Sequence, residues 1–526
     1  MPKQHLFVRI LNIINYLAPP SEMSYSHAEI LARIKSELSP EQVQQAAATV
    51  ERLHKELPDH EHLQNNHVML LMGGGKDSTW MTAYTRLVQL MLEERHGNTF
   101  ILRAATGRHP GMQMSVMQNI DRTYKALGMY DDPSVETIMI HNSGIVPFDP
   151  KMPLPDDVVQ LNRADVLMNA HRFAADARRT FCDSCNLRLS NWIGLAAAFN
   201  GGADILVTGD SLTEQSDYAR WISKLAHKLG VKVSDFKKLP QFTRMMRSLD
   251  GIGRTHTSMI HGDDAEAHKD RRVHNDFPKE TKLFTIYSDT AYSAREHLSF
   301  LKDFIGFDFN TLMSSFTETD CGNPALMAHL HGLAAQHLFH ARYEDGVQEY
   351  VAYGIRMMGK KDFPEELVEL MRERYQDDAA IQDMRGKVER YAWETYRLTP
   401  EQMTAMVYAS FAGNGTNLHV FLEREHPDLL SNETAIRQLL SGNTTAEHGE
   451  AAALAGQLER MSGLTLEQLQ RNYKSTLVRN PLSEAQEADT LKEKLLVMGI
   501  GDPLQETIVS RINLQGKPKE RIISGR

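Results

Sequence analysis

Short apolar runs alternate with amphipathic stretches through the first part of the chain. The run 67–72 (HVMLLM) stops in three glycines, and 99–105 (TFILRAA) is a second run of the same kind. Segment 135–141 (VETIMIH) alternates apolar and polar positions, and 204–208 (DILVT) and 282–287 (KLFTIY) complete five predicted strands. Helical periodicity fills the intervals at 77–95, 112–127, 165–178, 184–199 and 216–229. Strand–helix alternation of this kind predicts an α/β fold: a parallel five-stranded doubly wound sheet with helices on both faces.

Residues 1–66 read as a helical N-terminal segment. Ser39-Pro40 opens one of its helices, since proline suits the first helical turn. The apolar stretch 6–17 carries Arg9 and Asn12 and lacks a small-residue cleavage site, so it is expected to be a helix and not a signal peptide. Residues 67–330 form the expected sheet domain. Within it, 236–281 breaks the rhythm with arginines and histidines and is expected to be an inserted mobile segment. Residues 331–526 read as a large helical C-terminal domain, with no convincing strand pattern after about residue 322. The segment 413–417 (GNGTN) is expected to be a turn between helices.

Of 526 residues, 41% are hydrophobic, ample for a sizeable core, and the net charge is −10. That balance argues against a general binder of nucleic-acid backbone. No run of 18 apolar residues occurs, so no transmembrane helix and no membrane partner are expected. Only three cysteines occur, Cys182, Cys185 and Cys321, which excludes a disulfide framework and points to a reducing, cytoplasmic setting.

The segment Gly73-Gly74-Gly75-Lys76-Asp77-Ser78 follows an apolar strand and opens a helix. Glycines let the backbone turn tightly and present bare N–H groups to an anion. The helix start adds partial positive charge, Lys76 a full charge and Ser78 a hydroxyl donor. Together they make a phosphate cradle. The Walker spacing fails, because Asp77 follows Lys76 and Leu70 stands where the first glycine belongs; the dinucleotide fingerprint fails at Ser78. The bland alternative is a glycine-rich turn with no ligand.

The run resembles the SGGxDS loop of the PP-loop ATP pyrophosphatases (adenine nucleotide alpha hydrolase-like). The match covers Gly74, Gly75, Asp77 and Ser78, with Gly73 standing where that family has serine. The resemblance implies an ATP site that cleaves between the α and β phosphates, with Asp77 helping to hold Mg2+. It also implies that Lys76, Asp77 and Asp210 are catalytic, and that Gly73 to Ser78, Thr106 and Gly209 bind ATP.

Cys182 and Cys185 form a C-x-x-C before a helix. Taken alone the pair fits a redox dithiol, a zinc site completed by histidines, a cluster held with a third thiolate, or two unrelated buried cysteines. The C-x-x-C, helix and following strand resemble the tRNA 2-thiocytidine synthetase branch of the same superfamily. That branch implies a 4Fe-4S cluster on Cys182, Cys185 and Cys321. Thr208-Gly209-Asp210-Ser211-Leu212 is instead similar to the corresponding segment of 4-thiouridine synthetases. Both branches transfer sulfur. The implied function is an ATP-dependent sulfur transferase acting on a small-molecule or nucleobase substrate with a sulfur donor. A tRNA substrate is disfavoured by the net charge and the absent zinc ribbon; a homodimer is allowed. The alternative is a PP-loop ligase or amidotransferase that activates a carboxylate, its cysteines binding zinc or serving only structure. A non-enzymatic ATP sensor or scaffold is the third class.

Overall fold

A computed structural model describes residues 25–141, 144–176, 180–181, 183–209, 212–232, 238–263, 265–290, 297–309, 312, 323–360, 363–446 and 448–483, and the backbone of 494–498, 507–512 and 518–523. Its centre is a six-stranded sheet: β1 His67–Leu71, β2 Ile101–Gly107, β3 Val135–His141, β4 Gly144–Pro147, β5 Ile205–Thr208 and β6 Lys282–Thr285, in spatial order β4-β3-β2-β1-β5-β6. β3, β2, β1, β5 and β6 pair in parallel, and β4 pairs antiparallel to β3. The chain runs outward from β1 to β3, turns back in β4, then crosses to the other side of β1 for β5 and β6. The strand order therefore reverses at β1, and ligands of open α/β sheets bind at the carboxyl edge at such a point.

Alternation along the strands sets the two faces. Val68, Leu70, Leu102, Ala104 and Met139 enter one buried cluster; Met69, Ala105, Ile138 and Ile140 enter another. The first face is covered by α1 His27–Ser36, α2 Pro40–Glu56, α3 Lys76–His96 and α4 Met114–Ala126, and the second mainly by α6 Asp183–Ala198, which follows α5 Asp156–Phe173. Ser39 caps α2 through a reciprocal Ser39–Gln42 capping box. The one charge inside β2, Arg103, faces α6. It donates to Glu136 at 2.6 Å, its register partner on β3, and to the Ala196 carbonyl at 2.9 Å. Two of its three nitrogens are thus paired, one across the ladder and one to α6, which ties that helix to the sheet.

The sheet differs from the expected five strands by β4. Its four residues are too few to show a period, and it begins at Gly144, directly after Asn142-Ser143. The segment 236–281 is also different from the mobile insert expected. It contains α8 Gln241–His261 and α9 Ala265–Lys269, and Phe242, Met246 and Val273 are buried under the sheet. α7 Leu212–Lys228 packs on α8 through Ile222, Ala226 and Ile252. Several basic residues of this segment are held in ion pairs: Arg272 with Asp250, and Arg271 and His261 with Asp165.

After residue 323 come nine helices among the described residues: α10 Pro324–His337, α11 Tyr343–Lys360, α12 Glu365–Arg374, α13 Asp378–Tyr396, α14 Pro400–Tyr408, α15 Leu418–Glu425, α16 Glu433–Ser441, α17 Gly449–Ser462 and α18 Leu466–Lys474. They share the buried cluster of the first sheet face, which runs from Ile30 through Val68 to Phe411, Leu458 and Tyr473. Arg163 of α5 donates to the Gly463 carbonyl at 2.6 Å, and Tyr391 of α13 to the Gly111 carbonyl at 3.2 Å. The turn at 413–417 lies between α14 and α15, with Gly413, Asn414 and Gly415 at positive φ. The chain ends in strands, where only helices were expected: β7 Lys494–Met498, β8 Thr507–Ile512 and β9 Pro518–Ile523 form an antiparallel three-stranded sheet. Among the described residues no helix is long and apolar enough to cross a membrane.

Candidate functional site

The glycine loop sits at the reversal point. Met72 extends the β1–β2 pairing by one bond, its N–H donating to the Ala105 carbonyl at 2.9 Å. Gly74 then takes φ +75°, and a Cβ there would lie 2.5 Å from Val116 Cγ1 and 3.0 Å from Ile120 Cγ1 of α4. Both the backbone angle and the approach of α4 require glycine. Gly73 has room: the nearest atom to an added Cβ is Ser78 Oγ at 3.8 Å. Gly75 is the N-cap of α3 and supplies no side-chain cap. The start of a 21-residue helix thus faces the carboxyl edge of the sheet with its positive end uncapped, the requirement for an anion cradle.

The side chains of the loop turn on each other. Lys76 is 8% exposed; its Nζ donates to Asp77 Oδ1 at 2.7 Å and lies 5.2 Å from the ring centroid of Phe363. Ser78 donates to the Gly75 carbonyl at 3.0 Å. One turn on, Trp80 stacks on His297 with ring centroids 3.6 Å apart and 13° between planes. Burial pushes His297 down to about 4; Asp77 opposes the shift and Lys76 adds to it, so the neutral ring lies within the field of the loop. Phe363 and His297 are far from the loop in sequence and carry no motif, so nothing in the chain's pattern marks them.

Thr106 ends β2 on the same edge, but it is buried, with its hydroxyl 3.4 Å from that of Tyr124. Gly209 follows β5 and is exposed; a Cβ on it would point to Tyr287 at 3.7 Å and Met81 Sδ at 3.9 Å, beside the second turn of α3. The loop and Gly209 are therefore brought together, whereas Thr106 faces the α4 side of the core. Asp210 lies outside the described residues. Arg108 and His109, which follow β2 directly, are both buried. The Gly111 N–H donates to His109 Nδ1 at 2.9 Å, and burial beside Arg188 and Arg108 pushes this histidine down to about 3. His329 is buried and hydrogen-bonded to the Tyr343 hydroxyl at 2.8 Å.

Of the three cysteines only Cys185 is described; Cys182 and Cys321 lie outside the described residues. Cys185 is buried in the first turn of α6 and is disulfide-bonded. A sulfur within bonding distance of a second sulfur gives, on reduction, two adjacent thiolates, which suits both a redox pair and a shared metal. Among the described residues no group of three or more His, Cys, Asp and Glu is placed to hold a metal ion. At the glycine loop the uncapped helix start can receive an anion, with Lys76 and Ser78 alongside, their side chains turned onto Asp77 and the Gly75 carbonyl. Comparison with protein families, characterised proteins and solved structures finds no match to this chain.

Proposed function

We propose that the chain is an ATP-dependent sulfur transferase of the PP-loop type. The observation that carries this reading is the uncapped start of α3 behind a glycine forced to φ +75°, at the point where a parallel sheet reverses its strand order. In this reading the triphosphate lies along Gly73–Ser78, with Asp77 as the carboxylate for magnesium. A carbonyl oxygen of the substrate attacks the α-phosphorus, and the bond to pyrophosphate breaks. The helix start and Lys76 stabilise the charge that gathers on the leaving group. Sulfide then adds to the adenylated carbon, AMP leaves, and a thiocarbonyl remains. A 4Fe-4S cluster on Cys182, Cys185 and Cys321, when bound, would supply the sulfur.

The disulfide at Cys185 favours a second reading, an AMP-forming ligase whose cysteines serve structure alone. Anaerobic purification followed by incubation with ATP, magnesium, sulfide and a cell-extract metabolite pool separates the two. Pyrophosphate release with a product heavier by the oxygen-to-sulfur exchange supports the transferase. Pyrophosphate release with an amide or ester product, from protein lacking iron, supports the ligase. Absence of ATP-dependent pyrophosphate release under all conditions refutes both.

A further inference from the structure

Away from the glycine loop, a cleft opens at the amino end of α6. Its lining includes Ser184, Arg188, His256, Asp270, Arg271 and Asp165, and its empty volume is about 330 Å³, open solvent included. Ser184 and Arg188 are four residues apart, so they share one face of the helix. Both are more than nine-tenths buried, at 5% and 8% exposure. The Ser184 hydroxyl and the Arg188 Nε have no hydrogen-bond partner. A guanidinium offers five donors, and leaving a buried one unmet costs about 1–3 kcal/mol. These two groups converge where the helix start contributes its own partial positive charge.

Asp165 is the single buried carboxylate, and it is shared by His261 at 2.6 Å, Arg271 at 2.8 Å and Arg188 at 3.6 Å. Asp270 is exposed at the mouth, His256 lies 4.0 Å from Asp183, and Arg272 is spent in a two-bond pair with Asp250. Arg188 is buried and Arg271 nearly so, and both draw on Asp165, yet the Arg188 Nε donor still lacks a partner at the cleft lining. We infer that this cleft binds an oxyanion of the substrate, a phosphate or a carboxylate, through Arg188, Ser184 and the start of α6. Cys185 sits beside Ser184 on the same turn, so the bound anion anchors the substrate next to that sulfur. The inference stands on the cleft alone and does not require the ATP reading.

The test uses the full chain, titrated calorimetrically with inorganic phosphate and, separately, with acetate. Saturable binding of one of them is expected; phosphate marks a tetrahedral anion and acetate a planar one. Arg188→Met should weaken that binding at least tenfold and Ser184→Ala about threefold, while Lys76→Met leaves it unchanged and Arg188→Met leaves ATP binding unchanged. Ser184→Ala removes one atom, so its folded state is secure should Arg188→Met unfold. Binding lost in Lys76→Met but kept in both cleft variants assigns the anion to the glycine loop and overturns the inference. No saturable binding of either anion also overturns it, as does an adventitious ion only, whose affinity is unchanged in every variant.

Discussion

Gly74→Ala is the sharpest perturbation of the loop. An alanine at φ +75° costs about 1–2 kcal/mol in backbone strain alone. Its methyl would also press to 2.5 Å on Val116 Cγ1 and 3.0 Å on Ile120 Cγ1, both on a helix packed in the core, and such overpacking costs about 1–3 kcal/mol. The sum is about 2–5 kcal/mol; at about 2 °C per kcal/mol this is a fall of about 4–10 °C in Tm. If the loop yields instead of the fold, the strain is relieved by moving the N–H groups that hold phosphate, and nucleotide affinity falls in place of Tm. The control is Gly73→Ser, whose Cβ meets nothing closer than Ser78 Oγ at 3.8 Å. Scanning calorimetry and titration with a fluorescent ATP analogue should show Gly73→Ser near wild type in both. A Gly74→Ala protein with wild-type Tm and wild-type nucleotide affinity would refute the argument.

Three further outcomes follow from the same contacts. Lys76→Met keeps the stem against Phe363 and removes the charge, so pyrophosphate release should drop by about 10²–10³ with Tm nearly unchanged; Asp77→Ala should act alike, its loss being magnesium. Arg271, His261 and Arg188 hold Asp165 below the usual carboxylate range: burial alone would raise it, but these three partners together outweigh that. Asp165→Asn should therefore destabilise by about 3–5 kcal/mol at pH 7, and the gap to wild type should narrow as pH falls below about 4, where the unfolded carboxylate protonates. Burial also depresses His109 and His329 to about 3, and His171 and His297 to about 4. Each stays neutral when folded and binds a proton once unfolded, so stability is full above about pH 6.5 and is lost as pH falls toward 4, by about 1.4 kcal/mol per pH unit for each group. Denaturation at pH 5 should take up close to four protons more than at pH 8 on their account; equal uptake at both would contradict the assignment.

Five of the six strands of the central sheet were legible because each is a short apolar or alternating run closed by glycine or by a polar residue, and β3 falls at 135–141 as the alternation required; β4 is too short to show a period. The packing of 241–272 was not legible, since Arg271, Arg272 and His261 look solvated until Asp165 and Asp250 are seen to hold them. Burial of Arg103, Arg108 and His109 is likewise invisible in a chain, because their partners are a cross-strand carboxylate, backbone carbonyls and, for His109, a backbone N–H. β7 to β9 were missed because their short runs are interrupted by charge, as in PKERII, which reads neither as helix nor as clean alternation. Of the candidate site, the loop was readable as a cradle from its glycines and lysine, whereas the aromatic neighbours Phe363 and His297 come from remote segments with no shared motif. The free donors of Ser184 and Arg188 could be suspected only from their four-residue spacing beside the C-x-x-C.

The central claim is that Gly73–Ser78 holds the phosphates of ATP. Hydrogen–deuterium exchange read by mass spectrometry, with and without saturating ATP and magnesium, tests it directly. The account predicts slowed exchange in the peptide spanning Met72 to Thr82, where uncapped N–H groups gain acceptors, and no such slowing in Asp77→Ala. Unchanged exchange across that peptide in the presence of bound ATP, with protection elsewhere, would contradict it.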